Sequence, residues 1–272
     1  MVSSIEAAKA HKRFEGFRNT PYLWEGLLEG LTIYTTNALA ITTFPQINQT
    51  GHIRLGKLTE QFMLFELEQD PSVELLVSNL QVFDQKTTIG ELDCLMKESG
   101  VHKHLEFVYK FYLYYPSIPA ELNRWVGPNQ NDSLVQKLAK LKERQMPLLY
   151  HSETKKLLRQ YHLNPIDFQQ KVCFRAQLFV PLNFQKAELL YINNDCIQGV
   201  YLRYEELKGH ESYGFYIHAK LDWLMEPHDE VDWLEIGVFR PLASEQLNYQ
   251  RSRLCWMRSA EGVLSMFFLV WW

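Results

Sequence analysis

The chain has 272 residues, 46% of them hydrophobic and 22% charged. That is room for one large domain, or a medium one with an appendage, of ordinary globular composition. A formal net charge of −4 excludes nonspecific polyanion binding by bulk charge and leaves local basic faces open. No run reaches the roughly 18 apolar residues of a membrane span, and the apolar ending from Gly262 to Trp272 fits a buried strand better. The N-terminal MVSSIEAAKAHKRFEGF carries charges where a secretory segment is apolar. Cys94, Cys173, Cys196 and Cys255 are far apart, without a CxxC or zinc spacing. Buried free thiols in a reducing compartment follow, and a cytoplasmic protein is the expectation.

Residues 1–50 read as helical and then mixed, punctuated by Pro21 and Pro45. The run LGKLTEQFMLFELE predicts a helix over 55–68, with Leu58, Phe62, Phe65 and Met63 as its apolar stripe and Glu60 at the edge of that face. Asp70-Pro71 ends it. Three strands are predicted next, over 73–83, 88–96 and 104–114, joined by the short polar links DQK and KESGVHK that favour antiparallel hairpins. A loop, WVGPNQN, leads to a helix over 132–145, capped by Asp132 or Asn131. Leu134, Leu138 and Leu141 form its buried stripe, and Lys137, Lys140 and Arg144 gather to one side. KVCFRAQLFV alternates cleanly and predicts a strand over 171–180. The last 90 or so residues read as short strands and loops.

The most informative stretch is 90–110. In GELD, Glu91 and Asp93 share one strand face; on the following strand so do Glu106 and Lys110. If the two strands pair, Asp93 and Glu106 sit roughly 5 Å apart, the spacing of neighbouring strands. Two carboxylates at that separation on an apolar sheet suit a shared hard cation such as magnesium. A lysine beside such a cation can orient a water nucleophile or stabilise charge developing on a phosphate. The pattern points to metal-dependent phosphodiester chemistry.

This order of elements, with these acids, resembles the core of the PD-(D/E)XK nuclease superfamily, which includes Holliday-junction resolvases. GELDCLM followed by HLEFVYK is similar to the pattern of small resolvase-like members. The resemblance implies an α/β fold with a mixed central sheet, flanking helices and a restriction-endonuclease-like αβββαβ core, plus a β-rich C-terminal part. It divides the chain into a cover (1–54), a nuclease-like core (55–180) and a C-terminal part (181–272). It implies Asp93, Glu106 and Glu60 as ligands of Mg2+ or Mn2+, with Lys110 as the catalytic cation. DNA or RNA is the implied partner, contacted by Gln81, Lys137, Lys140 and Arg144. The superfamily places its lysine two residues after the acid, where this chain has Val108; Lys110 is four residues on. An active site with a displaced lysine and an inactive nuclease-fold module that binds nucleic acid or protein both fit that spacing. Over residues 20–270 the chain also resembles an uncharacterised bacterial family, domain of unknown function 1853. The segments that carry this likeness are RLGKLTEQF, TTIGELDCLM, KFYLYY, WVGPNQNDSLVQKLAKLKERQ and FRAQLFVPL.

Other motifs weigh less. His102 and His104 share a strand face but lack a third ligand, and read as exposed edge histidines. Glu226, His228, Asp229, Glu230, Asp232 and Glu235 lack calcium-loop spacing and read as a solvated loop. Gly127-Pro128 with Asn129 and Asn131 is no phosphate loop, and no GxSxG nucleophile motif is present.

Overall fold

The computed structural model describes residues 4–37, 39–41, 43–45, 53–184 and 189–272. Its elements begin with α1 (Ser4–Asn19), β1 (Leu27–Leu28), β2 (Leu31–Thr32), α2 (Leu55–Glu68), β3 (Val73–Asp84), β4 (Thr87–Glu98), β5 (Val101–Tyr114) and β6 (Trp125–Val126). Then come α3 (Leu134–Lys140), a π-helical turn (Leu141–Gln145), α4 (Met146–Leu148), α5 (Ser152–Gln160) and β7 (Gln169–Pro181). The chain ends with β8 (Ile197–Arg203), β9 (Gly214–Ile217), α6 (Ile236–Asn248), β10 (Arg253–Arg258) and β11 (Leu264–Val270). The fold is mixed α/β, and the predicted helix, three strands, helix and strand are present as α2, β3, β4, β5, α3 and β7, with β6 inserted before α3 and α4 and α5 before β7.

Two compact units result. The first comprises Met1–Pro21, Lys110–Val135 and Ala176–Trp272, the second Tyr22–Tyr109 and Gln136–Arg175. Three of the four boundaries fall inside β5, α3 and β7; the other lies between α1 and β1.

In the second unit, β3 and β4 form a long antiparallel hairpin from Val73↔Glu98 to Asp84↔Thr87. β4 and β5 pair antiparallel from Glu98↔Val101 to Cys94↔Leu105. The two-residue turn between them, Ser99-Gly100, has positive φ at both positions, the conformation that matches the twist of a tight hairpin. Val82, Leu92 and Leu95 of the hairpin bury against Leu148, Leu149, Leu158 and Phe168. Each such side chain contributes roughly 1.5–3 kcal/mol of transfer free energy. On α2 the buried stripe is Leu58, Phe62, Met63 and Leu67. Phe65, predicted in that stripe, is only half-buried, because the buried position beside it is taken by Glu66.

The helix predicted over 132–145 begins at Leu134, and it does not stay α-helical. It widens into a π turn over Leu141–Gln145 and resumes at Met146. Pro147 gives the reason: its ring has no N–H to donate and crowds the carbonyl four residues back, and a π turn is one way a helix absorbs that conflict. Leu134, Leu138 and Leu141 are buried as expected.

In the first unit β8 pairs parallel with β11, and β10 pairs antiparallel with both β11 and β9. Residues 236–248, predicted as strand and loop, form α6 instead. Phe239 and Ala243 of this helix pack into a core with Phe215, Cys255, Phe267 and Leu269, and the Phe215 and Phe239 rings stack with centroids 4.4 Å apart. All four cysteines are buried, and none is in a disulfide. Among the described residues no helix is long and apolar enough to cross a membrane.

Candidate functional site

The β4–β5 ladder stops at Cys94↔Leu105, one residue short of Asp93 and Glu106. Where the backbone pairing ends, the Asp93 side chain takes over, and its Oδ2 accepts the Phe107 N–H at 2.8 Å. The Asp93 backbone N–H in turn favours the ionised form of Glu106. The two acids thus lie next to the point where the strands cease to be paired by backbone.

Both carboxyls are out of solvent: Glu106 is 0% exposed and Asp93 9%. Burial, and then the charge of Glu106, push Asp93 up to about 7. Burial likewise pushes Glu106 up to about 7, against the opposing pull of Lys137, the Asp93 N–H, Gln145 and Lys140. Neither acid has a buried cation in ion-pair contact among the described residues. The pair is in the condition that desolvation and like charge produce together: each proton is held because the ionised pair is costly.

Glu106 is held from two sides. Its Oε2 accepts from Gln145 Nε2, and Gln145 Oε1 accepts from Lys137 Nζ at 2.8 Å. Gln145 is the last residue of the π turn, and the altered helical pitch delivers it to Glu106. On the other side, His104 Nε2 lies 3.1 Å from Glu106 Oε1 and Gln170 Nε2 lies 2.9 Å from His104 Nδ1. Gln170 also donates to the Met146 carbonyl at 2.7 Å. One tautomer satisfies this set, with Nδ1 accepting from Gln170 and Nε2–H donating to Glu106. Burial drives His104 down to about 4, so the ring stays neutral near pH 7. His104 was predicted to be an exposed edge histidine; it is 0% exposed, because its strand is covered rather than at an edge. His102 packs on Phe168, with ring centroids 5.1 Å apart.

The remaining predicted residues fall as follows. Glu60 contributes charge that raises Asp93, while Lys57 Nζ sits 2.6 Å from Glu60 Oε2. Glu60 Oε2 nevertheless has no partner of hydrogen-bond geometry, so this is an ion pair by distance alone. Gln81 is exposed and donates to Glu91 Oε2 at 3.3 Å. Lys137 and Lys140 both bear on Glu106, and Arg144 is exposed on the π turn. Lys110, expected as the catalytic cation, belongs to the first unit and donates to Asp132 Oδ2 at 2.5 Å. The lysine coupled to the two carboxylates is Lys137, from α3. Sequence reading placed Lys137 only among substrate contacts and missed Gln145 and Gln170 altogether. They lie 39 and 64 residues beyond Glu106 along the chain, with no local motif to join them.

Among the described residues no three His, Cys, Asp or Glu side chains form a metal-binding group. The donor set still fits a magnesium-like ion. Such an ion keeps several waters and takes one or two carboxylates with substrate phosphate rather than a full protein cage, and two crowded oxygen donors short of a cation are what Asp93 and Glu106 supply.

These features define a mixed α/β protein with a buried two-carboxylate site in its second unit. The chain belongs to the family described as Domain of unknown function (DUF1853), whose model matches residues 31–265. No curated protein and no solved structure matches it.

Proposed function

We propose that this protein is a divalent-metal-dependent, nuclease-like enzyme that hydrolyses phosphodiester bonds in DNA or RNA, in a cytoplasmic setting suited to its buried thiols. One observation carries the reading: Asp93 and Glu106 are both buried and both raised to about 7, with no cation in ion-pair contact with either among the described residues. The resemblance to the PD-(D/E)XK superfamily supports it, with Lys137 standing in for Lys110.

Asp93 and Glu106 would hold Mg2+ or Mn2+, with Glu60 adding negative charge. Bound there, the ion would supply Lewis acidity and a bound water of lowered pKa. The chain's own residues do the rest. Gln145 holds the Lys137 ammonium one side chain away from Glu106, where a cation offsets charge growing on a phosphate. His104 and Gln170 are positioning residues, fixing the rotamer of Glu106 through a neutral imidazole. Lys140 and Arg144, on the exposed flank of the same helical segment, extend positive charge toward a phosphate backbone.

A second reading, a nuclease-fold module that binds nucleic acid or protein without chemistry, draws on Lys110 being committed to Asp132 and on the absence of a third ligand among the described residues. Purified protein incubated with labelled single- and double-stranded DNA and RNA in Mg2+ or Mn2+ separates the two. Cleavage that is abolished by chelator and by Asp93→Asn is expected. Cleavage that survives Asp93→Asn would show the site misassigned, and binding without cleavage would favour the second reading.

A further inference from the structure

The loop WVGPNQN, which matched no phosphate-binding motif, forms one wall of an open cleft of about 490 Å3 in the first unit. Gln130 and Asn131 line that wall, and Tyr249, Gln250, Arg251 and Trp271 line the other. The loop is fixed in place. Gly127 N–H donates to the Asp132 carbonyl and Gln130 N–H to the Gly127 carbonyl, both at 2.8 Å. Asn129 Oδ1 accepts the Ser252 N–H at 2.8 Å, and the Pro128 carbonyl accepts from Ser252 Oγ at 2.6 Å and Trp272 Nε1 at 3.0 Å. Ser252 is itself buried, so the cleft walls are tied to core rather than hung on mobile tips.

The lining has a definite chemistry. No lining residue is acidic, and among the described residues Arg251 has no carboxylate in ion-pair contact. Its guanidinium lies 6.0 Å from the centroid of the Tyr249 ring, and that ring is 66% exposed. The Trp271 indole N–H is buried without a hydrogen-bond partner. Flat aromatic faces, side-chain amides offering both donors and acceptors, and a cation without a counter-acid are together complementary to one ligand type. A nucleobase stacks on aromatic and guanidinium planes, its edge pairs with amides, and its phosphate seeks the arginine.

We infer that this cleft binds a base and adjoining phosphate of single-stranded nucleic acid. Tyr249 and Trp271 are the stacking faces, Gln130, Asn131 and Gln250 the edge contacts, and Arg251 the phosphate contact. Duplex stacks its bases internally and presents no free face, so single strands are the class selected. The choice of ligand rests on the nucleic-acid reading proposed above, but the binding does not require the Asp93 chemistry.

The test is fluorescence anisotropy with a fluorescein-labelled single-stranded oligonucleotide of mixed sequence and its duplex, in excess EDTA so that nothing is cleaved. Full-length protein is expected to bind the single strand in preference to the duplex. Tyr249→Ala and Arg251→Ala should each weaken that binding roughly tenfold, the scale of one lost stacked base. Both residues are exposed, so an unchanged thermal melt is expected and separates lost binding from lost fold. Asp93→Asn should bind as wild type does in EDTA; wild-type protein that binds here yet fails to cleave in Mg2+ or Mn2+ would overturn the nuclease reading alone. Single-strand binding that is absent, or that is indifferent to the Tyr249→Ala/Arg251→Ala double variant, would overturn the cleft assignment. Binding displaced by neutral oligosaccharide would assign the cleft to sugars and overturn it equally.

Discussion

Two buried acidic clusters sit in the second unit and are built on opposite principles. Glu66 on α2 is 4% exposed and meets Arg175 on β7, whose Nη2 lies 3.2 and 3.0 Å from its two carboxylate oxygens. Thr36 Oγ1 donates to it at 2.9 Å, and Arg175 also donates to Tyr22 Oη at 2.9 Å. Every charge there has its opposite. Asp93 and Glu106 are also buried, the charge of Glu106 bears on Asp93, and the cations Lys137 and Lys140 act from further off. Burying a charge is tolerated when it is paired. A carboxyl pair raised in this way is what the proposed metal site would draw on.

The comparison breaks most sharply at Arg175. Arg175→Met would leave Glu66 an uncompensated buried charge and should cost roughly 3–5 kcal/mol in denaturant unfolding. Adding Glu66→Leu should restore most of it. Equal stability for wild type and Arg175→Met would contradict the structural role of that pair.

Lys137→Ala should lower the rate of cleavage roughly 100-fold, as loss of one preorganised donor does, with little change in stability. Lys110→Ala, by contrast, removes a half-exposed ion pair with Asp132 and should change stability by about 0–1 kcal/mol and cleavage not at all. If Lys110→Ala were the variant that lost activity, the assignment of the cation would be reversed.

Asp93→Asn should stabilise the metal-free protein by roughly 0.5–2 kcal/mol, since functional sites are commonly held at a cost to stability. The pH dependence sharpens this. Asp93 and Glu106 are raised from 3.8 and 4.5 to about 7, so the folded chain holds more protons than the unfolded one between those values. Their contribution is fully present at low pH and is lost as pH rises through about 7. His104, lowered from 6.5 to about 4, acts in the opposite sense below 6.5, where the unfolded chain holds the extra proton. His218, lowered from 6.5 to about 3, and Lys220, lowered from 10.5 to about 7, act in the same sense as His104, so the carboxyls are isolated by comparing wild type with Asp93→Asn. From pH 6 to pH 8 in urea unfolding, wild type should lose stability relative to Asp93→Asn. The same pH dependence in both proteins would contradict the raised carboxyls.

The elements that were legible are those with a clean period. Residues 55–68 repeat at helical spacing, KVCFRAQLFV alternates, and SG in KESGVHK marks the tight turn that sets Asp93 opposite Glu106. What escaped depends on contacts distant in sequence. His104 looks like an edge histidine until Gln170 is seen to cover it. The part played by Lys137 passes through Gln145, whose position is set by a π turn that leaves no hydrophobic period of its own. Lys110 was favoured because it shares a strand face with Glu106, but a face does not decide a partner, and Asp132 was nearer at hand. α6 was read as strand because EIGVF is β-branched and aromatic and Pro241 interrupts the helical pattern; burial of Phe239 and Ala243 overrides that local preference.

The most direct measurement is calorimetric titration of Mn2+ into metal-free protein, for wild type, Asp93→Asn and Glu106→Gln, with circular dichroism confirming that all three are folded. One saturable site in wild type that is lost in both variants is the expected result. Undiminished Mn2+ binding in the variants, or none in wild type, would contradict the claim that Asp93 and Glu106 form a metal site.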